Sequence, residues 1–252
     1  MPRSTATSPR PCGRTSRAPR PGAPRRGSSS SRCFPVDRPH VLGLILAGGL
    51  GRRMGGVDKP LMLMGGRTLL ERVAERLAPQ CGAGLALSAN GDPDRFAGFP
   101  GPILPDPVPG LPGPLAGLLA GLDFAAVRHP DVTHVLSVPG DAPFLPGDLA
   151  TRLGSALVDA PIALAASGGR EHYTVALWPV GLRADLRRAL VERDERRVGA
   201  FIAHHGAAIV EWPAETVDPF LNVNTPEDLA AAAEFDLKPE RGGRASERPP
   251  GA

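Results

Sequence analysis

Apolar residues recur along this chain in two alternating rhythms. Short unbroken runs suit strands buried on both faces, and spacings of three and four suit helices packed on one side. Residues 41–46 form the first run and predict a buried parallel strand. Thr68-Leu-Leu-Glu71 has the form of a capping box, with Leu69, Leu70, Val73 and Leu77 following at helical spacing until Pro79. Residues 61–63 predict a short extended piece before a turn at Gly65-Gly66. Further strands are predicted at 85–89, 103–104, 132–138, 162–166, 173–178 and 207–211, with Gly168-Gly169 as a turn. Residues 109–121 predict a loop entering a Gly/Ala-rich helix with Pro114 in its first turn, and 182–191 an amphipathic helix. Thr225-Pro226 has the N-cap and N1 pattern of a last helix. Strands and helices alternate throughout, which predicts a three-layer α/β domain with a mainly parallel sheet.

The two ends break this rhythm. Residues 1–38 are mostly Arg, Pro, Ser and Gly, and 238–252 are polar, so neither can bury enough apolar surface to offset ordering entropy. Both are expected to be disordered, which leaves 39–237 as the folded domain. The ends also distort the charge. Residues 1–40 carry nine Arg and one Asp, a net +8, so the remainder is −5 against the chain total of +3. A mildly acidic domain does not imply a nucleic-acid surface. Cys12, Cys33 and Cys81 are too few and scattered for a disulfide framework or a zinc site, which suits a reducing cytoplasm. No apolar run approaches the ~20 residues of a membrane span.

Chemistry concentrates after the first strand. Gly48, Gly49 and Gly51 allow a sharp turn and close approach of the backbone to a ligand. Arg52, Arg53, Gly55, Gly56 and Asp58-Lys59 follow within eight residues. Bare amides with fixed cations are what polyphosphate binding requires. No Gly-Lys-Ser/Thr occurs, and Met54 stands where a dinucleotide fingerprint needs its third glycine. Asn90, Asp106 and Asp141 lie at predicted strand ends, where open α/β sheets gather ligand groups. Asn and Asp also form ordinary turns, so both readings stand for Asn90 and Asp106. Asn222 and Asn224 alternate and therefore point to one side of an extended segment. Arg196 and Arg197 suit either a solvated surface or a site, and His134 reads as a core or face residue. The set suggests nucleotidyl transfer, with Lys59 meeting a triphosphate and Asp141 as the best single ligand for Mg²⁺.

LAGGLGRRMGGVDK, at 46–59, resembles the signature loop of the molybdenum cofactor guanylyltransferases, the MobA family of nucleotidyltransferases. Ile-Leu-Pro-Asp106, Pro112-Gly-Pro-Leu-Ala-Gly117, Pro-Gly-Asp141, Glu195-Arg-Arg-Val198 and Asn222-Val-Asn224-Thr-Pro extend the resemblance from about Val41 to Phe235. It implies a Rossmann-like nucleotidyltransferase fold. It implies that Leu46, Ala47, Gly48 and Gly49 hold guanine and ribose, that Asn90 and Asp106 contact the nucleotide, and that Lys59 meets its phosphates. Arg53 would join Lys59 and Asp141 in catalysis, Asp141 would hold Mg²⁺, and Arg197, Asn222 and Asn224 would face the pterin substrate. The implied reaction joins GMP from GTP to molybdenum-bearing molybdopterin in a cytoplasmic monomer, which would serve cofactor-accepting molybdoenzymes or their chaperones. There are departures. Ser88-Ala-Asn90 replaces Asn-Ala-Asn, so either Ser88 or Asn90 meets the nucleotide. Tyr173 replaces a proline, and the basic extension has no counterpart. The nearest rival is a cytidylyltransferase of the same fold, which would show Ala-Ala-Gly at 47–49 and an aspartate at 222. A sugar-phosphate nucleotidyltransferase would need an extra C-terminal domain. A silent nucleotide-binding regulator would not need Lys59 and Asp141 together.

Overall fold

Strand β1 (Leu42–Leu46) alternates its side chains between two cores, and the rest of the fold is laid out from it. Ile45 enters one core, Leu42 and Leu44 the other. The computed structural model describes residues 40–48, 58–108, 110, 113–215 and 217–236. The expected extensions at 1–38 and 238–252 lie outside the described residues.

The strands after β1 are β2 (Leu63–Met64), β3 (Arg67–Thr68), β4 (Leu85–Ser88), β5 (Ile103–Leu104), β6 (His134–Pro139), β7 (Ile162–Ser167), β8 (Arg170–Pro179) and β9 (Ala207–Trp212). Seven of them form one sheet in the order β5-β4-β1-β6-β8-β7-β9, and β2 and β3 make a separate small hairpin. Every neighbouring pair in the large sheet is parallel except those involving β8, which runs antiparallel to both β6 and β7. The cause is local. Gly168 and Gly169 both take positive φ, 55° and 75°, in the two-residue turn between β7 and β8, and such turns force a hairpin.

Helices α1 (Leu69–Leu77), α2 (Pro114–Arg128), α3 (Leu149–Ala156), α4 (Arg183–Arg193), α5 (Val198–His205) and α6 (Pro226–Asp236) cover the strands. Leu70, Val73 and Leu77 of α1 and Leu149 and Leu153 of α3 pack with Ile45, Leu87 and Val138 on one face. Leu115, Leu119 and Leu122 of α2, Leu186 and Leu190 of α4 and Phe201 of α5 pack with Leu42, Leu44 and Trp178 on the other. The three expected layers are thus present. Helix α2 lies unusually close to the sheet. A Cβ at Gly117 would collide with Ser88 Oγ, and one at Gly121 with the Leu44 side chain.

Two local signals are realised as expected. Thr68 Oγ1 accepts from Glu71 N at 3.1 Å while the Glu71 carboxylate accepts from Thr68 N at 2.7 Å. At α6, Asp228 N donates to Thr225 Oγ1 at 3.0 Å and Asp228 accepts from Thr225 N at 3.0 Å. Helices α3 and α5 have no counterpart in the sequence reading. Each has only eight residues and contains a glycine, so tertiary packing rather than propensity stabilises it. No described helix is long and apolar enough to cross a membrane.

Candidate active site

Strands β5, β4, β1 and β6 are mutually parallel neighbours, so Leu104, Ser88, Leu46 and Pro139 finish on one rim. Backbone bonds extend the ladder past the strands. Ala47 N donates to Ser88 O at 2.8 Å, Ala89 N to Leu104 O at 3.0 Å, and Gly140 N to Leu46 O at 3.0 Å. The rim is therefore rigid where ligand groups gather. A cavity of about 440 Å³ opens there, lined by Leu46, Gly48, Ser88, Gly117, Asp141 and Asn222 among others.

Asp141 follows β6 through Gly140, and its half-buried carboxyl faces this cavity. Burial pushes its pKa up, and the positive charge of Lys59 opposes that shift. Its backbone carbonyl accepts from Val223 N at 2.9 Å, which ties the segment before α6 to the end of β6. Val223 is fully buried with Met64 and Leu69, so Asn222 and Asn224 turn the other way. Asn222 Oδ1 is buried with no hydrogen-bond partner among the described residues. Asn224 Oδ1 accepts from Lys59 Nζ at 2.6 Å, and Asn224 Nδ2 donates to Asn222 O at 3.1 Å. The structure thus brings Lys59, Asp141, Asn222 and Asn224 together from three distant parts of the chain.

Asn90 and Asp106 form a second unit on the rim. Asn90 Nδ2 donates to Asp106 Oδ2 at 2.7 Å, and Asn90 Oδ1 accepts from Asp106 N at 2.9 Å. Burial raises the Asp106 pKa, and the bond from Asn90 opposes the rise. The Asn90 amide is spent on holding Asp106, whereas Ser88 lines the cavity directly. Arg95 links this unit to the far side of the loop. It pairs with Asp58, donates through Nη2 to Asn90 O at 2.6 Å, and lies 4.9 Å from the Phe96 ring centroid.

Arg197 stands apart. Its side chain is 86% exposed at the N-terminus of α5, on a neighbouring cavity of about 560 Å³ that also contains Tyr173 and Arg196. Pro114 lines both cavities, so the two adjoin. Gly49 and Arg53 lie outside the described residues. Ser88, the alternative to Asn90, lines the cavity with Gly117 and Thr174, and Arg95 braces the Asn90 backbone; the last three join the site only through the fold. A small polar residue ending an apolar strand was the available signal for Ser88.

The described residues contain no group of three or more His, Cys, Asp and Glu able to hold a metal. A magnesium ion satisfied by one carboxylate with phosphate oxygens and water needs no such group. The Asp141 carboxylate on the cavity wall is an oxygen donor that fits it.

Residues 43–211 match the family model of the MobA-like NTP transferase domain. The molybdenum cofactor guanylyltransferase of Rhodopseudomonas palustris (strain BisB5) is 56% identical over 208 residues, covering 82% of this chain and 99% of the relative. That of Rhizobium meliloti (strain 1021) is 45% identical over 212 residues, 82% of this chain and 94% of the relative. Among solved structures, molybdopterin-guanine dinucleotide biosynthesis protein A from Archaeoglobus fulgidus is similar with a TM-score of 0.59 at 21% identity, covering 78% of this chain and 98% of that one. The 4-diphosphocytidyl-2C-methyl-D-erythritol synthase of Anaerococcus prevotii DSM 20548 has a TM-score of 0.60 at 16% identity, covering 81% and 98%. Both structures share the fold, and at such identities the likeness concerns architecture alone. Matched by the family model over most of the folded residues and by relatives along almost their whole length, the chain belongs to the molybdenum cofactor guanylyltransferases of the MobA-like NTP transferase family.

Proposed function

We propose that this protein transfers GMP from GTP to molybdenum-bearing molybdopterin, forming the guanine dinucleotide cofactor and releasing pyrophosphate. One observation carries the reading. Lys59 and Asp141, a cation and a carboxylate, come together beside Asn222 and Asn224 at the carboxyl ends of β1 and β6. In the reaction, a phosphate oxygen of molybdopterin attacks the α-phosphorus of GTP, the bond to the β-phosphate oxygen breaks, and pyrophosphate leaves with the electron pair. Such a displacement depends on positioning and charge neutralisation more than on covalent help.

Lys59 would neutralise the phosphates as a point charge, and Arg53 would assist it. Leu46, Ala47, Gly48 and Gly49 would receive guanine and ribose beside Asp106, which Asn90 orients. Asn222 and Asn224, with Arg197 at the adjoining cavity, would meet the pterin substrate. Asp141 would hold Mg²⁺, which supplies charge neutralisation on the phosphate oxygens. A cytoplasmic monomer that passes the product to molybdoenzymes or their chaperones completes the proposal.

Initial rates of pyrophosphate release with GTP, CTP and ATP, each with molybdopterin and Mg²⁺, test it. A site made of backbone groups and fixed polar side chains leaves its own groups unpaired with the wrong base, at ~1–3 kcal/mol per lost partner. Two such contacts give a preference for GTP of about a hundredfold. Equal or faster turnover with CTP would overturn the guanylyl assignment and favour the cytidylyltransferase reading.

A further inference from the structure

A buried polar cluster lies outside the groups assigned above. Ser167, at the end of β7, is 2% exposed. Its Oγ lies 2.7 Å from His172 Nε2 on β8 and 2.7 Å from Asp218 Oδ1 on the segment leading to α6. His172 Nε2 and Asp218 Oδ2 are 4.0 Å apart, so the hydroxyl bridges them.

Proton accounting gives the cluster one arrangement. An ionised carboxylate only accepts, so the single Ser167 proton goes to Asp218. Ser167 Oγ must then accept from His172, which carries its hydrogen on Nε2. Burial holds the His172 pKa below its ordinary value, which favours this neutral imidazole. The order is His–Ser–Asp with serine in the middle. The serine proton faces the carboxylate and not the imidazole, so the cluster is not a nucleophilic triad despite its composition.

What the cluster grips is the start of a short connection. Asp218 Oδ1 also accepts from Phe220 N at 2.9 Å, and Asp218 O accepts from Leu221 N at 3.0 Å. The Phe220 ring packs 4.9 Å from His172 and edge-on to Trp212 at 5.4 Å. The next three residues are Asn222, Val223 and Asn224, whose far end is fixed by Val223 N on Asp141 O and by Asn224 on Lys59. The connection is thus clamped at both ends, by the end of β7 at 218 and by the site at 223–224.

We propose that Ser167, His172 and Asp218 form a positioning network that sets the Asn222–Asn224 segment for the second substrate and leaves the nucleotide-binding rim alone. The inference rests on the guanylyltransferase reading for the identity of that substrate. The network touches neither Leu46–Gly48 nor the Asn90–Asp106 unit, and the segment meets Lys59 and Asp141 only through a neutral amide and a backbone carbonyl, so its main effect should fall on the second substrate.

The test uses the full chain with Asp218→Ala, Ser167→Ala and Asp218→Asn. GTP affinity with Mg²⁺ is read by calorimetry, KM for molybdopterin by pyrophosphate release, and hydrogen exchange over residues 218–224 by mass spectrometry. Both alanine variants should raise KM for molybdopterin about tenfold, leave GTP affinity within about threefold, and speed exchange over 218–224 but not over 42–46. Asp218→Asn keeps the acceptor for Ser167 and Phe220 N and should recover most of the loss. An unchanged KM, a parallel fall in GTP affinity, or an Asn variant as impaired as the Ala variant would overturn the proposal. The partly exposed Asp218 side chain makes its variants the ones expected to fold if Ser167→Ala does not. Wild-type protein that prefers CTP would overturn the guanylyl reading, while the exchange comparison still decides the network.

Discussion

Lys59 Nζ donates to Asn224 Oδ1 at 2.6 Å, a bond between residues 165 positions apart. It joins the end of the loop after β1 to the segment before α6. The partner is a neutral amide, so the bond orients the ammonium without cancelling its charge. Asp228, in the first turn of α6, accepts from the Asn224 and Thr225 backbone amides at 2.9 and 3.0 Å, and the Lys59 charge favours its carboxylate form. With a neutral direct partner, Lys59 keeps its charge for a triphosphate.

Lys59→Ala is expected to weaken GTP binding by tenfold or more. A hydrogen bond to a charged group contributes about 1.5–3 kcal/mol, and nothing else in the pair supplies a cation. Asn224→Ala keeps the cation and should change GTP affinity by less than about threefold. Calorimetric titration of both variants with GTP and Mg²⁺ checks the contrast, and equal losses would show that orientation matters as much as charge.

Asp141→Asn is expected to abolish turnover and to leave the fold intact. The change keeps the shape but removes the anionic donor, a loss of several kcal/mol of transition-state stabilisation. Because burial disfavours the Asp141 carboxylate in the native state, the neutral amide should melt no lower than wild type. A residual rate above a tenth of wild type, or a clear fall in melting temperature, would contradict this.

Gly117→Ala should cost about 1–3 kcal/mol of stability and reduce activity, because the methyl meets Ser88 Oγ, with Leu46 Cδ2 and Ser88 Cβ each at 3.2 Å. The new group also intrudes on the cavity wall. Gly154→Ala in α3 is the control, since nothing lies within 4 Å of its Cβ position. That variant should be neutral or more stable by about 0.5–1 kcal/mol. Denaturant melts of the two proteins provide the comparison.

Stability should fall as the solution is acidified through neutral pH. Burial lowers the pKa of His134, His172 and His205 below 6.5. With the folded pKa depressed, the unfolded chain takes up protons first as pH drops below 6.5, and each histidine's contribution, complete above that value, is lost on the way down. Melting temperature measured between about pH 7.5 and 5.5 should decline, and His172→Gln should flatten part of that slope. A profile unchanged by the substitution would remove His172 from the account.

Much of the fold was legible in the residues alone, for reasons that are local. A strand buried on both faces needs an unbroken apolar run, so β1, β4 and β6 announced themselves, and Asp141 was found because it closes such a run. The capping residues Thr68 with Glu71, and the Thr225 cap, act within four positions and were legible in the same way. Asn222 and Asn224 follow the two-residue period of extended chain, so their common side was readable, although what they face was not. Helices α3 and α5 escaped notice because eight-residue helices containing glycine form only against a sheet already in place. The insertion of β8 between β6 and β7 was equally hidden. A two-residue turn specifies a hairpin, but which strand takes the hairpin's free edge is settled by side-chain packing across the sheet. Whether Ser88 or Asn90 would line the cavity depended on Asp106, sixteen residues beyond Asn90, claiming the amide. The Lys59–Asn224 bond and the Ser167–His172–Asp218 cluster belong to the same class. Their partners are separated by up to 165 positions, and only close packing of a folded chain brings such groups within 3 Å.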